Sequence, residues 1–496
     1  MGAGLAAAAV SLGVTEVLAT FFSPAADART AVGTSVINLT PGPVKEWAIQ
    51  TFGTSDKTFL TIMVVVVIGV VAAVAAIWER SRIPLGSIAI GTLGVLGAVA
   101  VLTQPGAGPA DLIPTVVGAA CGIGTMRLLT RPAPQAAAEG ADPQRRRSLL
   151  TLGLLGAGAL GGVAGNVLTR QRRSVAGDRD AFALPRATDP APPIPPTVQP
   201  PVDGLPTFVT DNADFYRIDT ALSVPQISRT DWKLRIHGMV DKEVTYTFDD
   251  LKQFDLVERA VTLACVSNPV GGNLISNAVW TGYRVRDLLA RSGIQPDADM
   301  VLSTSHDGFT AGTPVEALTD DRDSLLAIGM NGVPLPVEHG YPARLVVPGL
   351  YGFVSATKWV VDLEVTRFDR AEAYWTKLGW SAKAPIKTQS RIDVPRNGAR
   401  VTAGTVTVGG VAWAQHRGVK SVEVRIDDGP WRPARLGAGY SDDTWRLWTF
   451  DWPATPGRHI VTARATDNTG AVQTEQPAPP APDGATGWPT ISVDVS

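Results

Sequence analysis

The chain holds two cysteines, Cys121 and Cys265, and only the second lies outside an apolar stretch of near-spanning length. Cys265 ends the run Ala260-Val-Thr-Leu-Ala-Cys, which reads as a buried strand, and is followed by Val266-Ser267-Asn268-Pro269-Val270-Gly271-Gly272. Small residues at a strand end let a backbone come close to something else. A single thiol there can be a soft-metal ligand, a nucleophile or an inert buried residue. Residue types alone leave those three open. They disfavour zinc, because no second cysteine or paired histidine lies near. Two cysteines also exclude a disulfide framework.

The sequence around Cys265 narrows the choice. Thr262-Leu-Ala-Cys-Val-Ser-Asn and Trp280-Thr-Gly-Tyr-Arg-Val-Arg-Asp-Leu-Leu are followed, in order, by Met330-Asn-Gly-Val-Pro-Leu-Pro and His339-Gly-Tyr-Pro-Ala-Arg-Leu-Val-Val-Pro-Gly. The stretch from Gly352 to Lys358-Trp359 and the segment Trp445-Arg446-Leu447-Trp448 complete the series. Together they resemble the sulfite-oxidase family of molybdopterin-dependent oxidoreductases over roughly residues 208–496, in particular a membrane-anchored branch of actinobacterial type. The resemblance implies a molybdenum-molybdopterin cofactor with Cys265 as the protein's thiolate ligand to the metal. In such enzymes the cofactor carries the difficult chemistry and the protein holds it in place. His339 and Asp307 match the family's pterin contacts, and Tyr216 and Arg217 stand where its N-terminal cofactor loop lies. The pterin phosphate needs N–H groups and cations, a demand that Arg344, Lys358 and the Ala356-Thr357 backbone meet. Arg446 matches an anion-binding arginine of the substrate pocket.

Departures from the family bear on substrate. Pro269 and Val270 occupy two positions after Asn268 where sulfite oxidases carry arginine. Ile328 stands at the substrate tyrosine's position, and Asp219 is nearest to a further expected arginine. Each charge-assisted bond lost costs ~1.5–3 kcal/mol, so a dianion such as sulfite should bind weakly. Oxygen-atom transfer on a small substrate is the expected reaction, with sulfoxide reduction as plausible as sulfite oxidation. The rival expectation is an inactive membrane scaffold that keeps the molybdopterin fold. Retention of Cys265, His339, Arg344 and Lys358 argues against it.

Three kinds of element must position these residues. Residues 208–385 read as a mixed α+β cofactor domain, with Trp232 to Gly238 alternating like a strand, Thr247 to Phe254 a short capped helix, Val285 to Ser292 an amphipathic helix and Arg344 to Pro348 a buried strand. From residue 386 to 496 short alternating strands broken by turns, such as Gly404 to Val408 and Val422 to Ile426, give an immunoglobulin-like β-sandwich. Residues 174–207 are Pro-rich and read as a polyproline II tether that buries nothing and holds the next domain off a membrane.

The first 173 residues hold about five apolar runs near the ~20 residues that span a bilayer: Leu5 to Phe22, Phe59 to Trp78, Ile83 to Thr103, Leu112 to Leu129 and Leu149 to Leu168. The last is rich in Gly and Ala, which suits close helix packing. Arg80 and Arg82, then Arg127, Arg131 and Arg145 to Arg147, mark cytoplasmic loops. The N-terminus is then cytoplasmic and everything after Leu168 lies outside, although Arg170, Arg172 and Arg173 oppose that orientation. Arg146-Arg147-Ser148-Leu149-Leu150 resembles a twin-arginine export signal. Charged residues make up only 18% of the chain, and a net charge of −2 gives no basic surface for nucleic acid. His237 is the first histidine, so no haem is expected in this chain. Electrons must then pass to or from a partner, a cytochrome or quinone-linked protein. Glu16, an ionisable residue inside an apolar run, is the one candidate for quinone contact in the anchor. A homodimer through the sandwich is compatible with the resemblance.

Overall fold

The computed structural model describes residues 1–52, 56–131 and 143–496. The chain forms two compact units, residues 1–174 with 220–224, and residues 175–219 with 225–496. The loop between the fourth and fifth apolar runs falls partly outside the described residues.

Among the described residues the first unit is built of the α-helices α1 (Gly2–Ala19), α2 (Ala28–Leu39), α3 (Gly42–Phe52), α4 (Asp56–Ala75), α5 (Leu85–Leu102), α6 (Ile113–Thr130) and α7 (Pro143–Arg173). Five of them, α1 and α4 to α7, are long and apolar enough to cross a membrane. Helices α2 and α3 were not legible as separate elements; Asp27 starts α2 by accepting from Thr30 N–H at 3.0 Å. Small residues let α1 lie directly on its neighbours. A Cβ added to Gly13 would fall 2.3 Å from the Gly158 carbonyl oxygen, and one on Gly165 would fall 2.6 Å from the Glu16 carbonyl carbon. Backbones in such contact leave no room for any side chain, so packing here is dispersion between main chains. The outward faces keep Ile62, Val66 and Val70 of α4 and Leu152, Leu160 and Val163 of α7 exposed. An apolar surface of that extent marks a face made for a membrane or for a partner protein.

The second unit opens with two sheets. Ten strands follow in order: β1 (Lys233–Gly238), β2 (Val244–Thr247), β3 (Leu256–Ala264), β4 (Ile275–Arg284), β5 (Met300–Ser305), β6 (Thr310–Pro314), β7 (Leu325–Met330), β8 (Val333–Pro334), β9 (Arg344–Val346) and β10 (Val360–Thr366). One sheet runs β2-β1-β10-β5-β6; the other runs β3-β4-β7-β8, with β9 also paired to β7. The second sheet holds the chemistry, because β3 ends at the cysteine and β9 begins at Arg344. Strand β7 is buried along its whole length and is a continuous apolar run, whereas β3 is interrupted by the half-buried Glu258 and Arg259. The expected helix at Thr247 to Phe254 is a single 3-10 turn, Asp249–Gln253, capped through Thr247 and Asp250.

The sandwich follows with β11 (Gln389–Val394), β12 (Ala399–Val401), β13 (Gly404–Trp413), β14 (Val419–Ile426), β15 (Arg432–Pro433), β16 (Arg435–Leu436), β17 (Arg446–Ala454), β18 (Gly457–Asp467) and β19 (Thr490–Val495). Its sheets are β11-β13-β17-β16 and β12-β19-β18-β14-β15. Between them pack Val408, Val424, Trp448, Phe450, Val461 and Val493. The architecture is the expected one, apolar helices followed by an α+β domain and an immunoglobulin-like sandwich.

The Pro-rich segment departs from expectation. It belongs to the second unit and is laid along it rather than held off. Thr188 N–H donates to the Leu256 carbonyl at 2.8 Å, and Glu258 N–H to the Asp189 carbonyl at 2.9 Å. The Asp189 carboxylate joins Arg259 at 2.6 Å and Arg284 at 2.7 Å. Further on, Tyr440 Oη donates to the Pro192 carbonyl at 2.6 Å, Ala438 N–H to that of Thr197 at 2.9 Å, and Val198 is buried. The physical reason is that extended, proline-rich backbone has no internal hydrogen bonds, so its carbonyls are available to neighbours on both sides. Composition described its conformation and missed its partners.

Candidate active site

Strand β3 pairs with β4 up to Ala264 opposite Ile275, and residues 265–274 connect them. Cys265 N–H donates to the Leu274 carbonyl at 2.9 Å, Asn268 N–H to the Cys265 carbonyl at 3.1 Å, and Gly272 N–H to that of Pro269 at 2.9 Å. The Asn268 side chain closes the loop by accepting from Leu274 N–H at 2.9 Å. A Cβ on Gly272 would fall 2.4 Å from Asn268 Oδ1, so glycine is required for this closure. The result presents a half-buried thiol at a rigid strand end.

Two phenols stand within electrostatic reach of that thiol. Burial first, then the negative charge of Cys265, push the Tyr216 phenol far above its ordinary range, with Arg344 opposing. Tyr351 is pushed up to about 12 by burial, the Lys387 backbone N–H opposing and Cys265 adding to the rise. Both therefore keep their protons at neutral pH. Gly352 lies between them: a Cβ there would sit 3.9 Å from Tyr216 Oη and 3.9 Å from the Ala264 carbonyl oxygen.

Beneath lies a set of buried cations. Arg344, 5% exposed, donates to the carbonyls of Leu345, His339 and Ala356 at 3.3, 3.2 and 3.3 Å. Its guanidinium lies 5.0 Å above the Trp280 ring. Among the described residues no carboxylate bonds it, and burial pulls its pKa down to about 10. Lys358 donates to Asp219 Oδ2 at 2.9 Å and to the Glu338 carbonyl at 3.2 Å. Burial draws the ammonium down to about 8 although Asp219 opposes the shift. Asp219 also binds Arg217 at 3.0 Å. Two cations thus share one carboxylate, and the third, Arg344, has none among the described residues. Gly340 joins the two buried ones: with φ of +113°, it would place a Cβ 2.9 Å from that of Arg344 and 3.2 Å from that of Lys358.

His339 completes the group. Its Nε2–H donates to the Asn212 carbonyl at 3.1 Å. Burial, and then the charges of Arg344 and Lys358, lower its pKa to about 4, so the imidazole is neutral. Phe215 packs edge-on against both His339 and Trp280 at 5.5 Å between ring centroids.

Tyr216, Arg217, His339, Arg344, Lys358 and Cys265 are therefore brought together by this fold. The other expected residues are placed differently. Ala356 N–H already donates to the Gly352 carbonyl at 2.8 Å, which closes a turn and leaves that amide no ligand role. The Thr357 hydroxyl is buried against Ser303 at 2.7 Å. Asp307 sits on the β5–β6 turn, where it accepts from Phe309 N–H at 3.3 Å; the buried hydroxyl nearby that lacks a hydrogen-bond partner is Ser305. Arg446 needs the largest correction. Its guanidinium points into the sandwich and donates to the Val419 carbonyl at 2.9 Å and to that of Gly437 at 3.0 Å. Successive side chains on a strand face opposite ways. The preceding Trp445 faces the cofactor domain, where its Nε1–H donates to the Phe208 carbonyl at 2.9 Å, so Arg446 faces away.

Tyr351 and the aromatic pair Phe215 and Trp280 were not singled out as site residues. Tyr351 immediately precedes the quoted stretch that begins at Gly352, and that adjacency was the available signal.

Comparison with known proteins fits this geometry. Residues 221–375 match the model described as "Oxidoreductase molybdopterin binding domain", and residues 389–463 match "Bacterial Ig domain". Mitochondrial sulfite oxidase of Homo sapiens is 29% identical over 321 residues, covering 55% of this chain and 58% of that protein. The chain thus spans little more than half the length of that relative. The uncharacterized oxidoreductase YuiH of Bacillus subtilis is 33% identical over 151 residues, 30% of this chain and 73% of YuiH. Among solved structures, the sulfane dehydrogenase SoxCD of Paracoccus pantotrophus is 26% identical with a TM-score of 0.48, covering 53% of this chain and 74% of that one. The chain belongs to the sulfite-oxidase family of molybdopterin oxidoreductases.

The residues present fit that family's cofactor. A soft thiolate ligand is available at Cys265. An anionic phosphate would satisfy the charge left over on Arg344 and Lys358, whose burial without a full set of anions is otherwise costly.

Proposed function

We propose that this protein is a membrane-anchored molybdenum oxidoreductase whose redox unit lies on the extracytoplasmic side and transfers an oxygen atom to or from a small substrate. The observation that carries the reading is a half-buried strand-end thiol and a buried, carboxylate-free arginine that both stand within electrostatic reach of Tyr216. When bound, molybdenum-molybdopterin supplies oxygen-atom transfer coupled to a two-electron change. Cys265 would ligate the metal through its thiolate, Arg344 and Lys358 would hold the phosphate, and His339, kept neutral, would help to hold the pterin. Tyr216 and Tyr351 retain their protons and offer hydrogen bonds where the substrate enters. Electrons pass to or from a separate cytochrome or quinone-linked partner.

The substrate is proposed to be neutral or singly charged. Pro269 and Val270 lie on the Cys265 loop, Ile328 is buried in β7, and Arg446 is engaged inside the sandwich. The cations that approach Tyr351 carry their own carboxylates: Lys387 binds Asp483 at 2.9 Å and Arg417 binds Asp467 at 3.0 Å. With Arg344 and Lys358 taken up by the cofactor's phosphate, a dianion entering here would lose hydration without an uncompensated cation in return.

Metal and pterin analysis of the purified full chain tests the assignment, with one molybdenum per chain expected. Steady-state assays with an artificial electron carrier then compare sulfite with a neutral sulfoxide. Sulfite should be at least about a hundredfold poorer in kcat/KM, the weight of two lost charge-assisted bonds. Equal efficiency would overturn the substrate reading. A reporter fused after Ser496 that is active only in the cytoplasm would overturn the orientation, which rests on Arg80, Arg82 and Arg145 to Arg147.

A further inference from the structure

Between α1, α2, α4, α5 and α6 the first unit holds a pocket of about 80 Å³, open on one side, so that a ligand seated there would extend out through the opening. Leu12, Val65, Ile68 and Leu93 form apolar walls, while Glu16, Arg29 and Thr115 add polar groups to the lining. Glu16 and Arg29 are joined at 2.9 Å.

Thr115 is the informative residue. It is 5% exposed, lines the pocket, and its hydroxyl has no hydrogen-bond partner among the described residues. Threonines in these helices ordinarily donate to the carbonyl four residues back. Thr15 does so to Ser11 at 2.9 Å, Thr61 to Lys57 at 2.9 Å and Thr130 to Met126 at 2.7 Å. A buried hydroxyl that forgoes this bond carries a desolvation cost that a ligand oxygen would remove.

The charges around the pocket select against an anionic head group. Arg29, the guanidinium in the lining, is already bonded to Glu16 at 2.9 Å. A phosphate or fatty-acid carboxylate would find no unpaired cation there among the described residues. A carbonyl oxygen can accept from Thr115 and from an Arg29 N–H. A hydroxyl, as in the reduced form of a quinone, can also donate to Glu16.

We propose that this pocket binds an uncharged, carbonyl-bearing lipophile, an isoprenoid quinone or its quinol, with its head between Thr115, Arg29 and Glu16 and its tail along Val65 and Ile68. The choice of a quinone over a lipid ester rests on the oxidoreductase reading of the second unit; the pocket itself does not.

The test uses the full chain in detergent, with molybdenum content measured on the same preparation so that failure of the redox reading is seen separately. Short-chain ubiquinone and menaquinone analogues are titrated by equilibrium binding, and the purified protein is extracted for mass spectrometry. Saturable binding of one analogue is expected, together with co-purified quinone. Thr115→Val, which preserves shape, should weaken binding about fivefold to tenfold, the weight of one hydrogen bond. Leu12→Trp, which fills the pocket, should abolish it. Molybdenum content and helical circular dichroism should stay unchanged in both variants. Absence of saturable binding, unchanged affinity in a well-folded Thr115→Val protein, or recovery of phospholipid alone would each overturn the proposal.

Discussion

Two arginines of the second unit, Arg344 and Arg446, look alike on paper and differ in what surrounds them. Each is bonded to main-chain carbonyls, and burial lowers the pKa of each. Arg446 has bonds of 2.9, 3.0 and 3.3 Å inside the sandwich, where its charge ties β17 to the Val419 and Gly437 backbones. Arg344 has longer bonds of 3.2 and 3.3 Å, faces Tyr216, and has Lys358 as a second buried cation across Gly340. One arginine is a finished structural tie. The other belongs to a site with charge to spare. A buried arginine marks a ligand site only where its neighbours leave its charge unsatisfied.

The largest effect on the site side of that contrast should come at Cys265. Cys265→Ala is expected to lose molybdenum and to cut turnover at least about a thousandfold, while the melting temperature of the unit holds. Full metal content in the Ala variant would end the assignment of this thiol as ligand.

The arginines themselves should separate cleanly. Arg344→Met is expected to weaken retention of the pterin at least about a hundredfold, two charge-assisted bonds at ~1.5–3 kcal/mol each, and to leave the cofactor-depleted protein no less stable. Arg446→Met should leave cofactor content unchanged and cost about 1–3 kcal/mol of stability through the Val419 and Gly437 carbonyls it deserts. Pterin content by fluorescence and unfolding by denaturant, measured on both, check the pair. If the two variants behave alike, the contrast is wrong.

The smallest effect concerns acid. Burial alone would raise the Asp467 carboxyl, but bonds from Thr469, Thr388, Arg417 and the Ala471 N–H outweigh it and hold the group at about 2. A carboxylate depressed in the folded state adds stability that is full above its unfolded pKa and is lost as pH falls through the folded one. The expected contribution is about 2 kcal/mol at neutral pH, fading between about pH 4 and pH 2. Asp467→Asn should remove both the contribution and that part of the acid limb in a pH series of urea unfolding curves.

What the sequence made legible follows from which facts are local. Cys265, His339, Arg344 and Lys358 sit in short segments whose backbone turns bring them together, so the residues announce the site. The five apolar helices are equally local, a matter of composition over one window. Arg446 misled because a strand residue's direction depends on pairing parity: Trp445 turns toward Phe208, and Arg446 must then turn away. The Ala356 amide misled for a similar reason, since its claim by Gly352 is a property of the turn and not of the residue. Tyr351 was overlooked because its partner Gly484 lies far along the chain, where a Cβ would come 2.7 Å from its hydroxyl.

The segment first read as a tether bears on how the protein is made. Pro192 and Phe208 bond to Tyr440 and Trp445, residues 248 and 237 positions later. A growing chain reaches the first pair long before the second exists. These particular contacts can form only after the sandwich has been synthesised, and contacts of such separation form slowly.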